Sequence, residues 1–224
     1  MTATVTRWWW VRHALVTANE GRIYGRSDLP CETDDTEMFE GLAEILPSDA
    51  VLVTSDLMRT HQTADAIKAA GLEMAPRIEI PDLAEQSFGD WQGQHFADIQ
   101  KEMPVKLHDF WMCPAHYRPP GGESFVDLIA RVAPQIERIS EEYPGRHIIA
   151  VTHGGTIRAA LAIALGLDPE RALSFTIENL SVTRIDRIET GSDDPTPGAG
   201  QLNWRTVLVN RMAGNRKPGW KPIR

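Results

Sequence analysis

Three places in this sequence put chemistry-bearing residues directly after short apolar runs: Arg12-His13, Ser55-Asp56 and His153-Gly154-Gly155. A histidine in such a place is either a structural side chain with its hydrogen bonds met or a group that attacks an electrophile or moves a proton. The arginines give the second reading its content. Arg12 neighbours His13, and Arg59 falls in the first turn of an expected helix, where a cation opposes the macrodipole and gains nothing locally. Two guanidinium groups facing one point suit a phosphate dianion, because each offers a planar two-pronged set of donors. A surface ion pair is the plain alternative for Arg59.

These residues need elements that bring several strand ends together. VTRWWWV (5–11) is β-branched and aromatic and predicts a strand ending at Arg12-His13. Its tryptophans are expected in or near the core of a sheet rather than in a membrane-interface belt. Thr17 to Pro30 reads as a loop, and Thr33 to Leu46 as a helix stopped by Pro47, with Met38, Leu42, Ile45 and Leu46 at helical spacing. Ala50 to Thr54 predicts a strand, Ser55 a helix N-cap, and Leu57 to Ala70 a helix ended by Gly71. Residues 76–84 read as a strand and turn. Ser124 to Glu142 predicts a helix kinked or broken by Pro134. HIIAVT (147–152) is a strand, Thr156 to Leu165 a helix closed by Gly166, and Leu180 to Ile188 and Leu202 to Val209 are two further strands joined by GSDDPTPGAG. The alternation predicts an α/β fold, a three-layer α/β/α sandwich with a mostly parallel central sheet, whose ligands bind beyond the carboxyl ends of the strands. One domain is expected over 1–210, with an inserted cap region at about 86–120, followed by a basic tail over 211–224.

Composition limits the partners. With 224 residues and a net charge of −8, the chain as a whole repels nucleic acid and anionic membranes, so an anionic substrate requires a locally basic pocket. Cys31 and Cys113 form no CxxC pair and are expected as free thiols in a reducing compartment. The N-terminus lacks the pattern of a signal peptide and no long apolar run follows, so a cytoplasmic protein is expected.

Five segments occur in order: VRHALVTAN, SDLMRTHQTA, LAEQSFGDWQG, GGESF and VTHGGTIRAALA. Together they resemble the successive motifs of the histidine phosphatase superfamily, the phosphoglycerate mutase-like fold, over about residues 5–188. The resemblance implies that His13 is the nucleophile that becomes phosphohistidine, that Arg12, Arg59 and His153 hold the phosphoryl oxygens, and that Glu85 protonates the leaving alcohol. It further implies a phosphate contact from Asn19, and a loop at Tyr24-Gly25 that approaches the substrate. These roles suit the chemistry, since in-line attack needs a neutral imidazole and positive charge on the equatorial oxygens. Gly154-Gly155 opens a helix whose free N–H groups are an expected anion site. A two-histidine, one-carboxylate metal site from His13, His153 and Glu85 is the competing arrangement. Two arginines aimed at the same place would repel the cation, so no metal and no cofactor are expected. His61, His95, His108, His116 and His147 lack ligand-like spacing and are expected as solvated or structural; Cys113 and His116 are further candidates for a substrate contact.

The chain departs from the family pattern immediately after the nucleophile, where glycine is usual and Ala14 stands, followed by Leu15 and Val16 in place of acidic and hydroxylic residues. Alanine is acceptable there only if its φ is negative; Thr17 is left to supply a hydroxyl. Gly154-Gly155-Thr156 after the second histidine, and the sparse cations of 94–118 (Lys101, Lys106, Arg118), resemble the phosphatase branch. The expected function is therefore hydrolysis of a small phosphate monoester. The alternatives are a phosphoglycerate mutase-type phosphotransferase and an inactive phosphate- or partner-binding pseudoenzyme. Aromatic residues Phe88, Trp91, Phe96, Phe110, Trp111 and Tyr117 fit either a pocket for a partly apolar leaving group or ordinary loop packing. Oligomeric state is not legible.

Overall fold

The computed structural model describes residues 3–102, 112–190 and 202–213. His108, Lys106, Phe110, Trp111, the GSDDPTPGAG segment and residues 214–224 lie outside them. Six strands form one sheet: β1 (Thr4–Arg12), β2 (Ala50–Thr54), β3 (Ile78–Glu79), β4 (His147–Thr152), β5 (Val182–Glu189) and β6 (Leu202–Arg211), in the order β3-β2-β4-β1-β5-β6. The first four in that order pair in parallel; β5 pairs antiparallel with β1, and β6 with β5. The sheet is mostly parallel, as the alternation predicts. The last two strands reverse direction, a point that their apolar pattern does not encode.

Helices cover both faces. On one, α4 (Phe125–Glu142) and α5 (Gly154–Leu165) bury Leu128, Val132, Ile136 and Ile157 against Trp8, Trp10, Val53, Ile148 and Ala150. On the other, α1 (Thr36–Ile45) and α2 (Met58–Ala69) bury Met38, Leu42, Ala64 and Ile67 against Val11, Leu52, Ile149 and Val151. Each strand sends alternate residues to opposite layers, the two-residue period of a sheet buried on both sides. Two short helices, α3 (Phe96–Glu102) and α6 (Pro169–Ala172), complete the described elements. Among the described residues, no helix is long and apolar enough to cross a membrane.

The three tryptophans divide by this parity. Trp8 and Trp10 stack at 4.9 Å between ring centres in one core layer, while Trp9 faces the other side, its indole N–H donating to His147 Nδ1 at 3.0 Å. Two local expectations need correction. Ser55 does not cap α2: the N-cap residue is Leu57, and Asp28 Oδ1 accepts the Met58 N–H at 2.7 Å from across the loop. Pro134 does not break α4, which runs through it for 18 residues. Both Pro134 and Ala130, whose carbonyl loses its helical donor, are exposed, so water meets that carbonyl and the buried face is undisturbed.

Trp8 Nε1 donates to Ser140 Oγ at 2.9 Å, and both residues are buried, which ties β1 to α4. Ser140→Ala orphans that indole N–H. It is expected to destabilise the protein by about 1–3 kcal/mol, read as a lower urea midpoint at unchanged m-value.

Candidate active site

The parallel strands β1, β2 and β4 end on one edge, and their C-terminal residues converge there. His13 follows β1 with its N–H bonded to Thr152 O at 2.9 Å, so the ends of β1 and β4 are locked in register. His153 is the next residue after β4 and the N-cap position of α5. Both histidines are buried, with ring centres 5.1 Å apart. Arg59 is presented by the first turn of α2, also buried, and Arg12 is the last residue of β1.

Hydrogen bonds assign the tautomers. His13 Nδ1 lies 2.7 Å from Ala14 O, and a carbonyl only accepts, so Nδ1 carries the proton and Nε2 keeps its lone pair. For His153, Arg59 Nε donates to Nδ1 at 3.3 Å, which leaves the proton on Nε2, facing Ser55 Oγ at 2.8 Å. Burial drives both imidazoles well below the ordinary histidine range; Arg59 and Arg12 push His13 further down, and Arg59 and His13 do the same to His153. Both rings are therefore neutral at physiological pH. Each nitrogen of His153 already has a partner, Arg59 on one side and Ser55 on the other, so the expectation that it holds a phosphoryl oxygen requires one of those bonds to open.

Arg59 is held on every side. Its Nη1 and Nη2 donate to Ser27 O at 2.8 Å and Gly25 O at 2.6 Å, and its guanidinium carbon lies 5.1 Å from the Tyr24 ring centre. Gly25 makes this close approach possible: its φ is +42°, and a Cβ there would lie 2.6 Å from Gln92 Oε1 and 2.8 Å from Gln86 O. Arg12 donates from Nη1 to Ile177 O at 2.6 Å, while its buried Nε–H has no protein partner among the described residues.

Glu85 enters from the turn after Pro81–Leu83 and is nearly buried. Its Oε1 accepts from Gly155 N at 3.0 Å and Gln86 N at 3.0 Å, while Oε2 is engaged only by Gly155 N, at 3.3 Å. At Gly155, the helix N–H expected to be open to an external anion is taken by the protein's own carboxylate. A side chain at Gly155 would collide with that carboxylate. Gly154, the first residue of α5, lies beside Arg12 and Arg158.

A cleft of about 310 Å³ reaches this group at Arg12 and Glu85, and is otherwise lined by residues 21–25, among them Arg22 and Tyr24, and by Phe88, Phe96 and Met112. Asn19 is not brought to it: its amide donates to Arg22 O at 2.8 Å and closes the turn over residues 19–22. Trp91 and Tyr117 stack on each other at 5.6 Å, whereas Phe88 and Phe96 face the cleft, so the aromatic set splits between packing and lining. Cys113 is buried and its thiol pushed up to about 12 by that burial, and His116 is exposed; neither lines the cleft. Among the described residues, no three His, Cys, Asp or Glu side chains gather as metal ligands.

The atypical residues after His13 are accommodated. Ala14 is not among the residues with positive φ, and its N–H donates to Thr63 Oγ1 at 2.9 Å. Leu15 points outward at 54% exposure, and the Thr17 hydroxyl is spent on Glu32.

Arg158 and Arg131 had no sequence signal of their own, and Ser55, marked by its strand end, was expected in another role. Arg158 is buried in α5, donates to Phe175 O at 2.8 Å and is lowered to about 10 by burial and by Arg12. Arg131 on α4 donates to Glu85 O at 2.9 Å and to Glu123 Oε1 at 2.7 Å, fixing the acid's backbone. Ser55 is the partner of His153 described above.

A family model for the histidine phosphatase superfamily (branch 1) matches residues 8–193. The chain is 31% identical over 216 residues to the glucosyl-3-phosphoglycerate phosphatase of Mycolicibacterium vanbaalenii, covering 91% of this chain and 93% of that protein. It is 37% identical over 117 residues to a bifunctional protein of Mycobacterium tuberculosis, a match covering 52% of this chain and only 31% of that protein's length. The solved structure of native mycobacterial glucosyl-3-phosphoglycerate phosphatase aligns with a TM-score of 0.77 at 27% identity, over 94% of this chain and 100% of that one. The matched span contains Arg12, His13, Arg59, Glu85 and His153, and on that extent of agreement the chain belongs to the histidine phosphatase superfamily, branch 1.

Proposed function

We propose that this protein hydrolyses a small phosphate monoester without a metal, through a phosphohistidine on His13. The observation that carries the reading is a buried, neutral His13 with its proton committed to Ala14 O and its Nε2 lone pair free, beside the guanidinium groups of Arg12 and Arg59. Nε2 attacks phosphorus as the ester P–O bond breaks, and the leaving alkoxide takes a proton from Glu85, whose Oε2 is the less engaged oxygen. Water then attacks the phosphohistidine, giving its proton to Glu85 and returning His13. The negative charge of the transferring group is met by Arg12, whose Nε–H has no partner among the described residues, and by the positive charge of Arg59, fixed in place by Ser27 O and Gly25 O. That is electrostatic work which a metal ion performs in other phosphoryl-transfer sites.

Hydrolysis is favoured over transfer to a second phosphate ester because the described cations of 94–118, Lys101 and Arg118, are used elsewhere. Lys101 pairs with Asp98 at 2.9 Å and Arg118 with Asp127 at 2.7 Å, and neither lines the cleft. We take Phe88, Phe96 and Met112, which line the cleft, as part of the wall that accepts the leaving group. No catalytic group that a pseudoenzyme would lack is missing. The substrate is left as a class, since the named relatives act on substrates of their own.

In EDTA, His13→Ala is expected to lower p-nitrophenyl phosphate turnover by at least about a thousandfold; metal-dependent turnover, or an undiminished variant, would overturn the mechanism. Glu85→Gln is expected to slow alkyl phosphates by about 10²–10⁴-fold and p-nitrophenyl phosphate far less, because a good leaving group needs little protonation. Equal losses on both substrates would remove Glu85 as the acid. Below its ordinary pKa of 6.5, His13 takes up a proton in the unfolded chain but not in the folded one. Its contribution to stability is therefore intact above about pH 6.5 and is lost as pH falls from there toward the folded value. In phosphate-free urea titrations, His13→Asn should flatten this dependence by up to about 1.4 kcal/mol per pH unit; an unchanged slope would show that His13 is not buried neutral.

A further inference from the structure

The turn that leads into β5 carries a polar side chain with no place in the motif pattern. Asn179 Nδ2 lies 2.8 Å from His13 O and 3.3 Å from Ala14 O. Both partners are carbonyls, so the amide must present its NH₂ to them, and its orientation is set by chemistry. Ala14 O is also the oxygen that accepts the His13 Nδ1–H. One carbonyl thus receives the imidazole from one side and Asn179 from the other.

The turn is built to hold that geometry. Leu180 N–H donates to Arg12 O at 3.0 Å, Arg12 N–H donates to Ser181 O at 3.2 Å, and Ser181 N–H closes onto Glu178 O at 3.1 Å. Leu180 itself is buried with φ at +59°, a left-handed conformation that costs a leucine about 1 kcal/mol or more. The strained residue lies between Asn179 at the end of β1 and the start of β5, and its side chain packs with Val11 and Val182 in the core.

We infer that Asn179 is a positioning residue for the nucleophile. By holding the His13–Ala14 carbonyls, it keeps the Ala14 oxygen in line with Nδ1, and so keeps the proton on Nδ1 and the lone pair on Nε2. A neutral imidazole has two tautomers, and the one protonated at Nε2 cannot attack phosphorus with that nitrogen. Asn179 touches neither the reacting atoms nor the guanidinium groups that hold the phosphate, so it controls attack rather than binding. The inference rests on the phosphohistidine reading for its catalytic consequence, and on the hydrogen bonds alone for its structural one.

The test uses histidine-¹⁵N-labelled protein, with the His13 resonances assigned by their loss in His13→Asn. Long-range ¹H–¹⁵N spectra report the His13 tautomer in the wild type, in Asn179→Ala and in the same-shaped but donorless Asn179→Asp, each checked for cooperative thermal unfolding. The wild type should be protonated at Nδ1, and both variants should gain the Nε2-protonated form. In parallel, kcat/KM for p-nitrophenyl phosphate should fall about 10- to 100-fold, the scale of losing an outer-shell partner, while Ki for inorganic phosphate stays within about threefold. A folded variant with the wild-type tautomer and wild-type kcat/KM would overturn the inference and leave the phosphatase reading standing. A wild type that shows no turnover, but whose tautomer still shifts in the variants, would overturn the phosphatase reading and leave Asn179 its positioning role.

Discussion

The site depends on burying cations together. Arg12, Arg59 and Arg158 share one edge of the sheet with two imidazoles, and the carboxylates that act on them are Glu85, with Asp28 near Arg59 and Glu178 near Arg158. Like charges brought out of water repel, and the protein meets the cost in two ways. It spreads each guanidinium over backbone carbonyls, at Ile177, Gly25, Ser27 and Phe175, and it keeps both histidines uncharged. Under the proposed function, a phosphate dianion would relieve that repulsion, which would make the cost of gathering the cations available for binding the transferring group.

The carboxylate at the helix start has a related economy. Glu85 occupies the Gly155 N–H, which keeps the acid within a hydrogen bond of a rigid element and lets α4 steady it from behind through Arg131 and Glu123. Positioning by backbone groups leaves little rotamer freedom to lose when substrate enters. The two glycines that open α5 are there for contact: one lies against Arg12 and Arg158, and the other against Glu85.

How much of this was legible follows from what local pattern can carry. The sandwich and the parallel strands were readable because apolar period marks strands and helices, and it set Arg12, His13 and His153 at strand ends; Glu85 was singled out only through the resemblance of its segment to the family's motif. Partner choice by polar side chains was not. Ser55 has the composition of an N-cap and instead pairs with His153; Asn19, expected at the phosphate through the resemblance alone, closes its own turn. In each case two acceptable hydrogen bonds compete, and only the assembled neighbours decide between them. Asn179 lies 166 residues from His13 along the chain and makes its contact through sheet pairing, which no window of sequence contains. Pro134 shows the converse. A strong local breaker is overruled because the carbonyl it frees faces water and the buried stripe of α4 is left whole.

The reversal of direction at β5 has a consequence for where the wall of the site can come from. A strand parallel to β1 would begin at the far end of the sheet, and the chain entering it would pass nowhere near His13. Because β5 is antiparallel, Val182 starts beside Val11, where β1 finishes. The residues that feed it, from Phe175 to Ser181, are therefore delivered to His13 by connectivity alone, carrying the Phe175 and Ile177 carbonyls and the Asn179 amide with them. A change in the length of that connector would shift those carbonyls and that amide together, while the strands on either side kept their register.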